Sequence, residues 1–213
     1  MSLLSAINIG RQINSRWLWH QVNLELYPGS RLALVGASGT GKSVLLRALA
    51  GLDPLDEGKI KFCDRFLSDW FIPKYRSQVI YLHQNPALLE GTVESNLKAV
   101  YQFALHRQKR YDFQRVLSWF NQIDRPNDFL KKNAATLSGG ERQIVALIRA
   151  LQLDPVILLL DEATASLDPN SVQQIEFLIE NWLKKDSQRA CIWTSHDPIQ
   201  LKRVTTEQME LSH

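Results

Sequence analysis

The sequence predicts an α/β fold in which a parallel sheet carries helices on both faces. Three observations point there. Residues 156–160 form an unbroken apolar run, the mark of a strand buried on both sides of a parallel sheet. Residues 190–194 have the same character, and residues 31–35 read as a strand that runs into a glycine-rich loop. Around these strands lie segments with apolar residues at helical spacing, so strands and helices alternate along the chain.

Residues 22–26 alternate and meet a Pro28-Gly29 turn, and residues 59–62 and 78–82 read as further strands. From 43 to 50, Leu45, Leu46 and Leu49 sit at helical spacing, with Gly51 as a stop. The stretch 85–154 differs. Strand signals vanish there and helical periodicity dominates, as at 113–120 and 144–151, and residues 172–183 again read as helix. The expected organisation is a core made of residues 1–84 and 155–213, interrupted by a helical insertion over 85–154.

With 213 residues the chain can build one or two compact domains. Its hydrophobic fraction of 45% and charged fraction of 22% are those of a folded protein. A formal net charge of +3 is too small to argue for a polyanionic partner, so no nucleic acid is expected. Cys63 and Cys191 form no CxxC pair, and two lone thiols suit a reducing cytoplasm. Residues 1–10 lack a basic region followed by a long apolar core, so no secretory signal is expected. The longest apolar runs fall far short of the roughly 20 residues that span a bilayer.

Gly36-Ala37-Ser38-Gly39-Thr40-Gly41-Lys42-Ser43 matches the phosphate-binding pattern G-x-x-x-x-G-K-[ST]. Glycines let successive N–H groups face phosphate oxygens, and the following helix offers its N-terminus to an anion. Lys42 can reach the β- and γ-phosphates of a nucleotide, and the Ser43 hydroxyl can ligate Mg²⁺. At the end of the apolar run 156–160, Asp161 and Glu162 place carboxylates at the edge of an α/β sheet where ligands bind. Asp161 there suits Mg²⁺, directly or through water, and Glu162 suits a general base that activates water. Finally, Ser138 and Glu141 have the spacing of a helix capping box. A cap alone does not need Gly139 and Gly140 in the first turn, where they cost helix stability. They make sense if a phosphate approaches the helix tip, and since the chain already has one phosphate loop, that nucleotide belongs most simply to a second copy.

These motifs, in this order, resemble the nucleotide-binding subunits of ATP-binding cassette transporters. Leu137-Ser138-Gly139-Gly140-Glu141-Arg142-Gln143 resembles that family's signature motif, and the likeness covers essentially the whole chain. It implies a P-loop NTPase fold: a RecA-like parallel sheet core, an N-terminal antiparallel β subdomain and an inserted α-helical subdomain. It implies ATP and Mg²⁺ as ligands and hydrolysis of ATP within a head-to-tail dimer. By this likeness Gly36, Ala37, Ser38, Gly39, Thr40, Gly41, Lys42, Ser43 and Val44 bind the nucleotide from one copy. Ser138, Gly139, Gly140, Glu141 and Asp168 bind it from the other.

Mg²⁺ falls to Ser43, Gln84 and Asp161, and catalysis to Glu162, His196 and Gln84. Gln84 resembles the family's Q-loop glutamine, Ser166-Leu167-Asp168 its D-loop, and His196 its switch histidine. Two positions depart from the pattern. Val44 stands where the family commonly has Thr. Ile13 stands near the position of the usual adenine-stacking aromatic, which Trp17 or Trp19 can replace.

The likeness also implies a separate transmembrane permease and a place on the cytoplasmic face of the inner membrane. The basic run at 106–110 reads either as a solvated helix face or as part of the permease contact. Residues 85–93 resemble small bacterial subunits of iron or metal export. The competing reading is a soluble cassette ATPase of DNA repair or translation. The short, non-heptad stretch between the phosphate loop and the signature disfavours it. A nucleotide-sensing module without turnover is disfavoured by the presence of both Glu162 and His196.

Overall fold

The computed structural model describes residues 1–165 and 167–212, and its first sheet is built by two-residue turns of left-handed residues. Strand β1 (Leu4–Ile13) reverses at Asn14 and Ser15, with φ of 51° and 60°, and returns as β2 (Arg16–Leu26). Two such residues in succession match the right-handed twist of a hairpin. Strand β3 (Arg31–Val35) leads into helix α1 (Lys42–Leu49). A second tight turn, at Cys63 and Asp64 with φ of 49° and 59°, joins β4 (Glu57–Phe62) to β5 (Arg65–Phe66). These strands give an antiparallel sheet of order β2-β1-β4-β5.

Helix α1 stops where its sequence says it should. Gly51 takes φ +67° and donates to Ala48 O, while Leu52 donates to Arg47 O, which satisfies the last carbonyls of the helix. A short α2 (Ile72–Gln78) precedes β6 (Val79–Leu82). The second sheet has the order β6, β7 (Ile157–Asp161), β8 (Ala190–Thr194), β3 and β9 (Glu207–Glu210). The β7–β8, β8–β3 and β3–β9 pairs are parallel.

Every residue of β7 and β8 is buried, as their apolar runs require. One apolar core is shared by both sheets and α1. It includes Leu4, Leu26 and Phe62, then Leu45, Leu46 and Leu49, then Leu34, Leu159 and Ile192. Each such leucine contributes about 1.5–3 kcal/mol relative to an exposed one.

Apart from Leu82, the last residue of β6, these strands belong to one compact unit, formed by Met1–Tyr81, Pro155–Glu162 and Asp186–His213. The other unit comprises Leu82–Asp154 and Ala163–Lys185 and is helical. It contains α3 (Val93–Lys98), α4 (Phe113–Gln122), α5 (Gly139–Leu151) and α6 (Pro169–Lys184). Each helix starts on a side-chain cap, from Thr92, Asp112, Ser138 and Asp168 in turn. Helix α5 packs on α6 and α3. Helix α7 (Pro198–Val204) returns to the first unit. Among the described residues no helix is long and apolar enough to cross a membrane.

Two features differ from the sequence expectation. Residues 155–213 were expected to lie wholly with the sheet core, yet α6 is part of the helical unit. Gln174 Nε2 donates to Ile123 O (2.9 Å), Asn181 Nδ2 donates to Gln122 Oε1 (3.0 Å), and Ile175, Leu178 and Ile179 are buried. The basic run at 106–110 is no helix face. His106 ends a 3₁₀ turn (Ala104–His106) with its side chain buried, and Arg107, Lys109 and Arg110 follow in an exposed turn.

Candidate functional site

Strand β3 hands the chain to α1 through the glycine-rich loop. Gly41, the N-cap of α1, has φ +88°, and a Cβ there would lie 2.5 Å from Leu18 Cδ2, so only glycine fits. With Gly39 also left-handed (φ +84°), the loop has the alternation from which anion-binding nests are made. Thr40 Oγ1 donates to Ala37 O at 2.9 Å and holds the turn. Lys42 Nζ folds over the loop, donating to Gly36 O (2.8 Å) and Ala37 O (3.0 Å). An ammonium, a nest and a helix N-terminus thus converge on one spot, an arrangement suited to phosphate. Val44, by contrast, packs its side chain against the apolar core.

Asp161 ends β7, and its side chain is buried (4% exposed). Ser43 Oγ donates to Asp161 Oδ1 at 3.0 Å, and Thr194 Oγ1 lies 3.1 Å from the same oxygen. Tyr81 OH donates to Oδ2 at 2.6 Å. Burial first, and then donation to Asp161, push the Tyr81 phenol well above its ordinary pKa.

The donors around Asp161 are all oxygens, which suits Mg²⁺, an ion that takes one or two protein ligands and completes its shell with water and phosphate. Among the described residues no group of three or more His, Cys, Asp or Glu side chains is placed to hold a metal, so an all-protein cage is not built. Tyr81 and Thr194 were missed by the sequence reading. Tyr81 gives no local signal. Thr194 is findable, because aligning the ends of the two buried strands pairs it with Asp161.

Glu162 follows with φ +48°, a left-handed backbone that costs energy in a residue with a side chain. The Thr194 hydroxyl holds it there, since Glu162 N donates to Thr194 Oγ1 at 2.9 Å. Glu162 Oε1 lies 2.8 Å from His196 Nε2. A carboxylate at the edge of the sheet, backed by an imidazole and next to a buried aspartate, can orient and deprotonate a water.

In the helical unit Ser138 and Glu141 form the predicted capping box. Glu141 N donates to Ser138 Oγ (3.2 Å) and Ser138 N donates to Glu141 Oε2 (3.0 Å). The cap uses the Ser138 oxygen as acceptor and leaves its O–H as a donor, so capping and phosphate contact are compatible. Glu141 Oε1 meets Lys132 Nζ at 2.9 Å. The two glycines of the helix tip have different surroundings. Gly139 is exposed, and a Cβ there would meet only Leu167 Cδ2, at 3.7 Å. Gly140 is buried, and a Cβ there would lie 2.3 Å from Ser171 Oγ. Gly140 is therefore required by packing against α6 and is not explained by phosphate approach alone.

Asp168 caps α6, accepting from Ser171 Oγ (2.6 Å) and Ser171 N (3.0 Å). The Ser171 hydroxyl first, and then its N–H, hold the Asp168 carboxyl below the usual range. Ser166 lies outside the described residues. Gln84 is half-buried, and Gln143 Nε2 anchors the preceding residue by donating to His83 O at 3.1 Å.

The model of the ABC transporter family matches residues 19–165. The chain belongs to that family. This ABC chain is an ATP-binding ATPase. It is 34% identical over 195 residues to "Probable iron export ATP-binding protein FetA" of Escherichia coli strain K12, covering 92% of this chain and 85% of that one. It is 33% identical to the "Sulfate/thiosulfate import ATP-binding protein CysA" of Mesostigma viride, across 94% of this chain and 56% of that protein. Among solved structures it superposes on a dimeric, post-hydrolysis ATP-binding cassette bound to ADP and Pi. The TM-score is 0.84 at 23% identity, over 98% of this chain and 94% of the other, a likeness of fold.

The ABC chain corrects one expectation about adenine. Trp19 is only 1% exposed and belongs to the apolar core, so it is not available to stack on a base. Trp17 lies exposed and stacks on His20, with ring centroids 4.2 Å apart and 26° between planes. Ile13 is half-exposed at the end of β1.

Proposed function

We propose that the chain is the ATP-hydrolysing subunit of a transporter whose membrane-spanning permease is a separate chain. The observation that carries this reading is the joining of two pairs, Ser43 with Asp161 and Glu162 with His196, through the Thr194 hydroxyl. Lys42 and the loop from Gly36 to Ser43 bind the triphosphate. Ser43 and Asp161 would hold Mg²⁺, with Gln84 proposed as a further ligand, and the ion would supply positive charge to offset that of the triphosphate. Glu162 orients the attacking water and takes its proton, and His196 steadies that carboxylate and faces the γ-phosphate.

Hydrolysis in this reading needs two copies arranged head to tail. Ser138 and Gly139 of one copy offer an O–H and helix-tip N–H groups to the nucleotide held by Lys42 of the other. ATP then acts as an interface ligand that favours the closed dimer, and loss of the γ-phosphate lets it reopen. The permease receives this motion, and through it the chain sits on the cytoplasmic face of the inner membrane.

Iron or a related metal ion is proposed as the exported cargo, on the likeness to the FetA protein across most of both chains. The biochemical test is phosphate release by the wild type and by Glu162→Gln, with a pull-down from native membranes. Turnover by the wild type alone and recovery of a membrane permease support the proposal. Recovery of ribosomes or DNA without a permease contradicts it.

A further inference from the structure

Asp161 is gripped by three side chains, and the role proposed for the site accounts for only some of them. Ser43 comes from the phosphate loop, and Thr194 ends the strand beside Asp161. Tyr81 comes from β6, and no motif assigns it a task. The torsion that turns an aspartate carboxylate about its last bond is soft and broad. The two carboxylate oxygens turn together about that bond, so a donor on Oδ2 restrains the same torsion as the hydroxyls on Oδ1. A phenol has few torsions and reaches Oδ2 from the neighbouring strand at 2.6 Å, in a place where Asp161 is only 4% exposed. It therefore adds a further anchor to the plane of the carboxylate and helps keep Oδ1 turned towards Ser43.

We propose that Tyr81 is a positioning residue for the metal–nucleotide site, orienting Asp161 through its hydroxyl so that the carboxylate and Ser43 present a ready pair of oxygens to Mg²⁺. This rests on the assignment of Mg²⁺ to Ser43 and Asp161. The phenol touches neither ATP nor the metal and acts only through Asp161. Its loss leaves Oδ2 without that donor and the carboxylate torsion less restrained, while the phosphate loop keeps its own contacts. The effect should thus appear in the metal dependence of nucleotide binding and not in metal-free binding.

The test is binding of a fluorescent ATP analogue to the full chain, titrated with Mg²⁺ and repeated in EDTA, for wild type, Tyr81→Phe and Asp161→Asn. Phenylalanine keeps the ring and its packing, and thermal melting checks that the fold is intact. Tyr81→Phe should raise the half-saturating Mg²⁺ concentration about fivefold, the counterpart of one ordinary hydrogen bond, with affinity in EDTA unchanged. Asp161→Asn should raise it further. A wild-type Mg²⁺ curve for Tyr81→Phe alone overturns the proposal and leaves the reading of Asp161 standing. A wild-type curve for Asp161→Asn as well overturns both. An equal loss of affinity with and without Mg²⁺ in Tyr81→Phe overturns the proposal too, because the hydroxyl would then be structural.

Discussion

Glu162 Oε1 and His196 Nε2 lie 2.8 Å apart, with the imidazole 66% exposed and the carboxylate 21% exposed. The histidine therefore covers the carboxylate from the open side, while the backbone beneath it is tied to Thr194. In Glu162→Gln the amide keeps the shape and a hydrogen bond to His196 and loses the ability to take a proton. Phosphate release should fall by about a hundredfold or more, with ATP binding retained in equilibrium dialysis. Normal turnover would remove Glu162 from its role.

Thr194 serves both neighbours at once. In Thr194→Val the shape is kept, but the partly buried Glu162 N–H loses its acceptor and Asp161 loses a donor. The chain should be destabilised by roughly 1–3 kcal/mol in urea unfolding, and kcat should fall more than ATP affinity.

The two glycines of the α5 tip should separate packing from ligand contact. Gly140→Ala forces a methyl to within 2.3 Å of Ser171 Oγ, so it should cost about 1–3 kcal/mol of stability by thermal or urea unfolding. Gly139→Ala meets only Leu167, at 3.7 Å, and should leave the fold unharmed or slightly stabilised. It should still weaken ATP-dependent association measured by light scattering.

Glu141 supplies a pH test. Burial pushes its carboxyl up, but the Ser138 N–H and Lys132, with Arg125 behind, outweigh burial and hold it below the ordinary 4.5. A carboxylate with a lowered folded pKa adds stability above its unfolded value and loses that stability as pH falls through the folded one. The melting temperature of the wild type should therefore drop more steeply below about pH 4.5 than that of Glu141→Gln. Parallel curves would show that the Lys132 and Ser138 contacts do not bear on stability.

What could be read in the sequence was what is local along the chain. Strands β3 and β8 coincide with the apolar runs that announced them, and the phosphate loop sits where a strand turns into a helix. Strand β9 was invisible because Glu207, Gln208 and Glu210 show no apolar alternation in an edge strand paired on one side only. The Tyr81–Asp161 bond joins residues far apart in sequence, and nothing near Tyr81 foretells it. Gly140 was read as a ligand contact because its packing partner, Ser171, lies on a different helix. Trp19 and Trp17 both offered an aromatic ring for adenine, and only burial told them apart.

The central claim is that one triphosphate is held by the Lys42 loop of one copy and the Ser138 helix tip of another. It is tested by mixing two chains, both carrying Glu162→Gln, one with Lys42→Ala and the other with Ser138→Arg. Neither chain alone can form an intact site, but a head-to-tail pair of the two has one. Light scattering with Mg²⁺ and ATP should show dimers in the mixture and monomers in each separate sample. Monomers in the mixture, under conditions where Glu162→Gln alone dimerises, would contradict the account.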